Sequence, residues 1–282
     1  MDFIHRPSFF RAYDLSLGAN RLILLLSLLG GVAGAAVTLS AGRPMAEVLG
    51  QALRAAITVF GAATLAKELD PDTLRSAVLA AVVALPAVWV IQQSSLALLV
   101  WLLLHLRFLN RSSGLAPTPV DMLALLIVTA WVGWVISPML IVLTGGAVLL
   151  DGLLPAGRRA HRPLGVVVAL AGLGWLALGP GPGAPVALSP AADVAVLAAA
   201  AAFIGVILTS YSVAAVGDTT GQPLNPARVQ AGQAVALSAA LLLASWQGAN
   251  GLALGVALWA AVLGAVIGRV TLFSTRRSTA AL

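Results

Sequence analysis

DMLALLIVTAWVGWVISPMLIVLTGGAVLLDGLL, residues 121–154, decides how often this chain crosses a bilayer. A hydrocarbon core about 30 Å thick takes roughly 17 to 25 helical residues, so the run is too long for one upright helix and barely long enough for two. Turn chemistry separates the cases. A proline in the first helical turn gives up an N–H that would have had no partner, and a preceding Ser, Thr, Asp or Asn caps the amides that remain. Ser137-Pro138 is such a start in the middle of the run. The sequence therefore predicts a tight hairpin, its arms about 16 to 18 residues long and slightly shorter than the bilayer. The same device recurs at Asp70-Pro71, Thr118-Pro119, Ser189-Pro190 and Asn225-Pro226, with Arg43-Pro44 and Arg162-Pro163 as uncapped relatives. Asp70 is thus expected to cap the third helix with Pro71 at its first position. In the other long run, 72–109, the only polar interruption is Gln92-Gln93-Ser94-Ser95, which reads as the turn of a second hairpin.

Outward from these hairpins the same ruler places spans at about 22–40, 46–66, 72–91, 94–109, 121–136, 138–154, 163–179, 193–216, 227–246 and 251–272. Composition agrees: of 282 residues 60% are apolar and 9% charged, where a soluble domain carries roughly 25% charge. Lys and Arg confirm the count, because they concentrate on the cytoplasmic side of a membrane. With ten spans, fourteen of them fall in one set of connections and the tails, and Arg43 alone in the opposite set. The expected fold is all-α: one polytopic membrane helix bundle over 22–272 with about ten transmembrane helices. Both termini are cytoplasmic, as an N-terminal segment 1–21 and a basic tail 273–282. The expected location is a plasma membrane of prokaryotic type. Trp89, Trp134, Trp175 and Trp246 fall near outer ends, where an amphipathic ring prefers the interface. Ahead of the first span, Phe9, Phe10, Tyr13 and Leu17 share one helical face, with Arg11 and Asp14 off it. That segment reads either as an interfacial helix or as a frayed end. Arg21 before the run Leu22–Leu39 suggests a secretory signal, but the run is long for one and reads as a retained first span.

Several chemistries are excluded. With no Cys there is no disulfide framework, thiolate nucleophile or Cys-ligated cluster. His5, His105 and His161 are scattered without a helical partner at ligand spacing, so each reads as an interfacial side chain and no metal site is expected. No GxGxxG, GxxxxGK[ST] or GxSxG occurs. The net charge of +6 is spread over short connections, so nucleic acid is not a partner; the lipid bilayer is.

Two groups of residues carry the functional expectations. Arg54 is the ionisable residue deepest in a span, about 12 Å below the outer end of the second helix. A charge at that depth is expensive and marks a pathway or site by default. Glu47, Gln51, Arg54 and Thr58 fall on one helical stripe, which is expected to face the bundle interior or a wet cavity, since lipid would leave its polar atoms unpaired. Alternatively Arg54 snorkels outward and pairs with Glu47. On the cytoplasmic side, Glu68, Asp70 and Asp72 lie within five residues of one another, and Asp218, Thr219 and Asn225 sit in the longest polar loop. These six could form an inner-face site holding Mg²⁺ with a phosphate-bearing substrate. Thr118 with Asp121 reads as a capping box. Gly30/Gly34 and Gly264/Gly268 have GxxxG spacing, read as intramolecular helix packing more than dimerisation.

The segment from Ser137-Pro138 through Arg162-Pro163-Leu164-Gly165 and Ala169-Leu170-Ala171-Gly172 is similar to the end of the first repeat of EamA-type drug/metabolite transporters. Length, ten spans and cytoplasmic termini suit that family. Its members are two five-helix repeats, however, whereas this segment ends seven spans in, so the resemblance implies no residue roles here. The NxxxD and DxxxD spacings of UbiA-type polyprenyl transferases are absent. Three functional readings follow. The first is a small-molecule permease for an anionic or zwitterionic solute, working without a cofactor. The second is an inner-face enzyme using Mg²⁺ on a lipid or isoprenoid phosphate, and the third a non-catalytic scaffold of a membrane complex.

Overall fold

The computed structural model describes residues 15–90, 93–179 and 185–280, the side chains of 88–90 and 272–280 excepted. Phe9, Phe10, Arg11, Tyr13 and Asp14 of the amphipathic segment, Gln92 and the Trp89 side chain lie outside that description. The described chain is a bundle of ten helices: α1 (Gly18–Ser40), α2 (Met45–Leu69), α3 (Leu74–Val90), α4 (Leu96–Asn110), α5 (Pro119–Val135), α6 (Met139–Leu153), α7 (His161–Leu178), α8 (Pro190–Thr209), α9 (Pro226–Leu254) and α10 (Val256–Ala280). Five of them, α1, α2, α7, α8 and α9, are long and apolar enough to cross a membrane alone. Both long runs are hairpins, with breaks at 93–95 and 136–138.

The helix starts show why. Thr118 and Asp121 form a reciprocal capping box in front of α5, with Pro119 at its first position. The Ser189 hydroxyl accepts from Ala192 N ahead of α8, and the Asn225 side chain accepts from the amides of Ala227 and Arg228 ahead of α9. Three expectations are corrected. Asp70 does not cap α3: it terminates α2, and α3 begins at Leu74 because the Asp70 carboxylate instead accepts from the Thr73 and Ser76 hydroxyls. The eighth helix ends at Thr209, not near 216, and 210–225 forms a folded connection. The break between the last two spans is a kink at Gly248 (φ 56°, ψ −132°), after which helix resumes to Leu254.

Consecutive helices run antiparallel, and the contacts between their connections fix two ends. At one end the Asp218 N–H donates to Ser112 O (3.0 Å), and the Ala214 and Ala215 amides donate to the Asp72 carboxylate (2.9 Å each). This is the arginine-rich end, which the charge bias assigns to the cytoplasm. At the opposite end Ser95 N donates to Leu254 O (3.2 Å), Val186 N to Trp246 O (3.1 Å) and Gln247 Nε2 to Ile136 O (2.9 Å). The core is built on small side chains: Ala62, Ala66, Ala77, Ala80, Ala261 and Ala265 are all buried where α2, α3 and α10 meet. Gly30 and Gly34 press on Val59 and Ala55 of α2, and Gly264 on Ala80 of α3, so both GxxxG pairs serve packing within the chain. Leu and Val on α1, α5, α7 and α8 point outward, as lipid-facing side chains do.

Candidate functional site

Helix length opens the outer end. At 1.5 Å per residue the 25-residue α2 reaches about 37 Å, whereas the 15-residue α4 reaches about 22 Å. The outer part of α2 therefore rises past the turn of the α3–α4 hairpin and is left uncovered. Two recesses flank it there. One, of about 410 Å³, is lined by Thr38, Ala41, Arg43, Glu47, Gly50, Gln51 and Arg54. The other, about 520 Å³ and more open, is lined by Arg54, Gln93, Ser94, Ser95, Leu96, Ala97, Trp131 and Leu254. Arg54 is common to both. Beneath the second recess, Ser94 and Ser95 continue into a cleft of only about 10 Å³, walled by Leu98, Leu99, Leu102 and Leu258, with Thr58 at its side. The Thr58 and Ser94 hydroxyls are 2.6 Å apart there, tying α2 to the hairpin turn.

The expected stripe is thus present but graded in depth. Glu47 and Arg54 are exposed, Gln51 is half-buried, and Thr58 alone is buried. Its placement inside the bundle is corrected for Arg54, which borders the recesses because the neighbouring hairpin is short. Glu47 meets Arg43 at 4.0 Å.

The inner end is sealed by buried charge. Glu68, 2% exposed, accepts from Arg107 Nε (3.2 Å), and its carbonyl accepts from Asn110 Nδ2 (2.7 Å). Asp70, fully buried, pairs with Arg269 at 2.8 Å. Gln233 Nε2 donates to Leu69 O (2.6 Å) and to the Ser210 hydroxyl (3.0 Å). The largest set centres on Asp151 near the end of α6. Its Oδ1 accepts from Arg228 Nη1 (2.8 Å) and Arg111 Nη2 (3.2 Å), and its Oδ2 lies 2.6 Å from His161 Nδ1. Burial, then the neighbouring Arg228 guanidinium, pull the Arg111 pKa below its ordinary value.

The six residues of the expected inner-face site have separate engagements or are exposed. Glu68 and Asp70 are held in separate ion pairs, Asp72 caps the 214–215 amides, Asn225 caps α9, and Asp218 and Thr219 are exposed on the docked loop. Among the described residues no three His, Asp or Glu side chains converge as a metal site would need. Sequence reasoning missed Asp151, Arg228 and Arg269. It also misread His105 and His161, which are buried: His105 mid-helix and His161 on Asp151. The available signal was a carboxylate inside an otherwise apolar run, Asp151 in 138–154, and a guanidinium in the first turn of the ninth helix. No protein family, no curated protein and no solved structure matches the chain.

Proposed function

We propose that the protein is a small-solute permease whose outer mouth is the pair of recesses joined at Arg54. One observation carries this reading. Space at the outer end, polar beside Arg43, Glu47 and Gln51 and mostly apolar beside Trp131 and Leu254, narrows past Ser94 and Thr58 into a leucine-walled cleft, while the inner end is closed by ion pairs that link five helices. An opening on one side and a seal on the other is the arrangement that alternating access requires of one resting state. Two guanidiniums, Arg43 and Arg54, against one carboxylate, Glu47, favour a solute bearing an anionic group, with or without a cationic one. The apolar cleft and the Thr58–Ser94 bridge form the barrier that must part for passage. The magnesium-enzyme reading asks for carboxylates that are already engaged in ion pairs and caps, and we do not favour it.

The test begins with melting curves of the purified protein against small carboxylates, amino acids and phosphate esters, since a ligand that binds only the folded state raises Tm. The solute giving the largest shift is then followed into proteoliposomes. The expected result is saturable uptake that Arg54→Ala reduces at least about tenfold, the loss of one charge-assisted contact. Uptake unchanged in Arg54→Ala overturns the site assignment. A panel without any stabilising solute, in a protein that melts cooperatively, overturns the permease reading in favour of a scaffold.

A further inference from the structure

A second feature lies at the opposite end and stands independently of the permease reading. Asp151 is completely buried, and two guanidiniums and an imidazole converge on it from α4's C-cap, α9 and α7. Arg228 also donates through Nε to Pro155 O (2.9 Å) and through Nη1 to Leu109 O (3.1 Å), so its head is fixed from three sides. Even with His161 neutral, the cluster holds two positive charges against one negative in surroundings where an uncompensated charge is costly. Arg158, exposed on the α6–α7 turn, adds a further positive charge that acts on Arg111. Arg228 Nη2 and Arg111 Nε are sealed from solvent and have no hydrogen-bond partner among the described residues, although Arg228 is 98% buried by its 2% exposure. Arg111 (φ 52°) and Ala156 (φ 57°) are the two non-glycine residues with positive φ in the described chain, and both border this cluster. Backbone held in that region gathers at ligand sites.

We infer that this cluster is an anion site for a phosphate group, bound at the inner edge of the bundle by Arg111, Arg158 and Arg228. Asp151 holds two of the three guanidiniums in place while leaving their surplus charge and two donors unsatisfied. A phosphate fits on three grounds. It supplies the missing negative charge, its oxygens accept the paired N–H groups of a guanidinium, and the charge bias puts the site on the membrane face where lipid phosphates lie. The group belongs either to an inner-leaflet phospholipid or to a free phosphate. It enters past the exposed 155–160 turn, where Arg158 stands in solvent.

The full chain in neutral detergent distinguishes these sources by thermal melting. One arm adds inorganic phosphate against chloride at matched ionic strength, and the other dopes micelles with phosphatidylglycerol against phosphate-free diacylglycerol. A saturable rise in Tm in the lipid arm alone assigns the headgroup, and a rise in both arms assigns a site open to free phosphate. In Arg158→Glu, an exposed substitution that leaves the buried pairs intact, the concentration giving half the shift rises at least about tenfold. Arg75→Glu, exposed at the same end of the bundle on α3, leaves it unchanged. Absence of a shift in both arms, or equal shifts in the unaltered chain and Arg158→Glu, overturns the proposal.

Discussion

His105 illustrates how a polar side chain is made harmless inside an apolar helix. Its Nδ1 lies 2.8 Å from the Trp101 carbonyl oxygen, which can only accept, so Nδ1 carries the proton. Nε2 lies 2.9 Å from the Thr144 hydroxyl oxygen, which donates to Leu140 O (2.9 Å), accepts from Trp101 Nε1 (3.2 Å) and lies 3.1 Å from Thr129 Oγ1. These contacts stitch α4, α5 and α6 together inside the bundle. His105→Leu keeps the volume and removes the bonds, and is expected to cost about 1–2 kcal/mol in reversible unfolding. Thr144→Val should cost a similar amount, and the double variant less than the sum, because the two share one bond. Asp151→Asn is a harsher change. It leaves the buried Arg228 guanidinium and the half-buried one of Arg111 facing a neutral amide and is expected to lose about 3–5 kcal/mol in the absence of added anion. The two residues also mark what one sequence conceals. Arg54 was legible as a charge deep in a span. Asp151, near a span's end and beside an arginine-rich turn, looked like interfacial polarity, and no local pattern reveals that Arg228, 77 positions later, closes on it.

At the level of elements, the tightest pair is α6 with α7, and the reason is glycine at the contact. A Cβ on Gly145 would stand 2.7 Å from Ala169 Cα, and one on Gly165 would stand 2.7 Å from the Gly145 carbonyl oxygen. Backbones that close leave no room for a side chain. Gly165→Leu is therefore expected to force the helices apart and lower Tm by several degrees or abolish folding, whereas Gly174→Leu, with open space around it, should be neutral. Gly248 is needed for conformation as well as space. At φ 56°, ψ −132° only glycine is comfortable, and a Cβ would lie 2.7 Å from Val186 O. Gly248→Ala should destabilise by more than about 1 kcal/mol, read by the same unfolding assay. Helix starts were legible at Thr118, Ser189 and Asn225, where the cap chemistry is local, whereas at Ser137-Pro138 the helix begins one residue later, at Met139, with Pro138 and not Ser137 at the cap position. Asp70 misled because its carboxylate has a stronger use: Arg269, 199 positions away, claims one oxygen, while Thr73 and Ser76 donate to the other.

For the whole molecule, alternation of ten helices places 41–44, 93–95, 136–138, 185–189 and the Gly248 region at one end and 70–73, 111–118, 154–160 and 210–225 at the other. The hydropathy and arginine pattern specify that order, because the charges of each connection are local to it. A wet cavity beside the Arg54 stripe is one of the two surroundings the sequence predicts, but its division into two recesses was not legible, since that depends on a length difference between α2 and a hairpin that packs against it. The membrane placement has a direct test. The chain contains no Cys, so single cysteines report their own position without background. Ala41→Cys, Gln93→Cys and Ala187→Cys, all at exposed outer positions, should react with a membrane-impermeant maleimide on intact cells. Ala160→Cys and Thr219→Cys, exposed at the inner end, should react only after permeabilisation. Gln93 decides whether the short α3–α4 arms reach the outer surface. Labelling of Ala41→Cys but not Gln93→Cys on intact cells would make the hairpin re-entrant and close the second recess to the outside. Arg54 would then face one recess instead of two, and the route through Ser94 would lose its entrance.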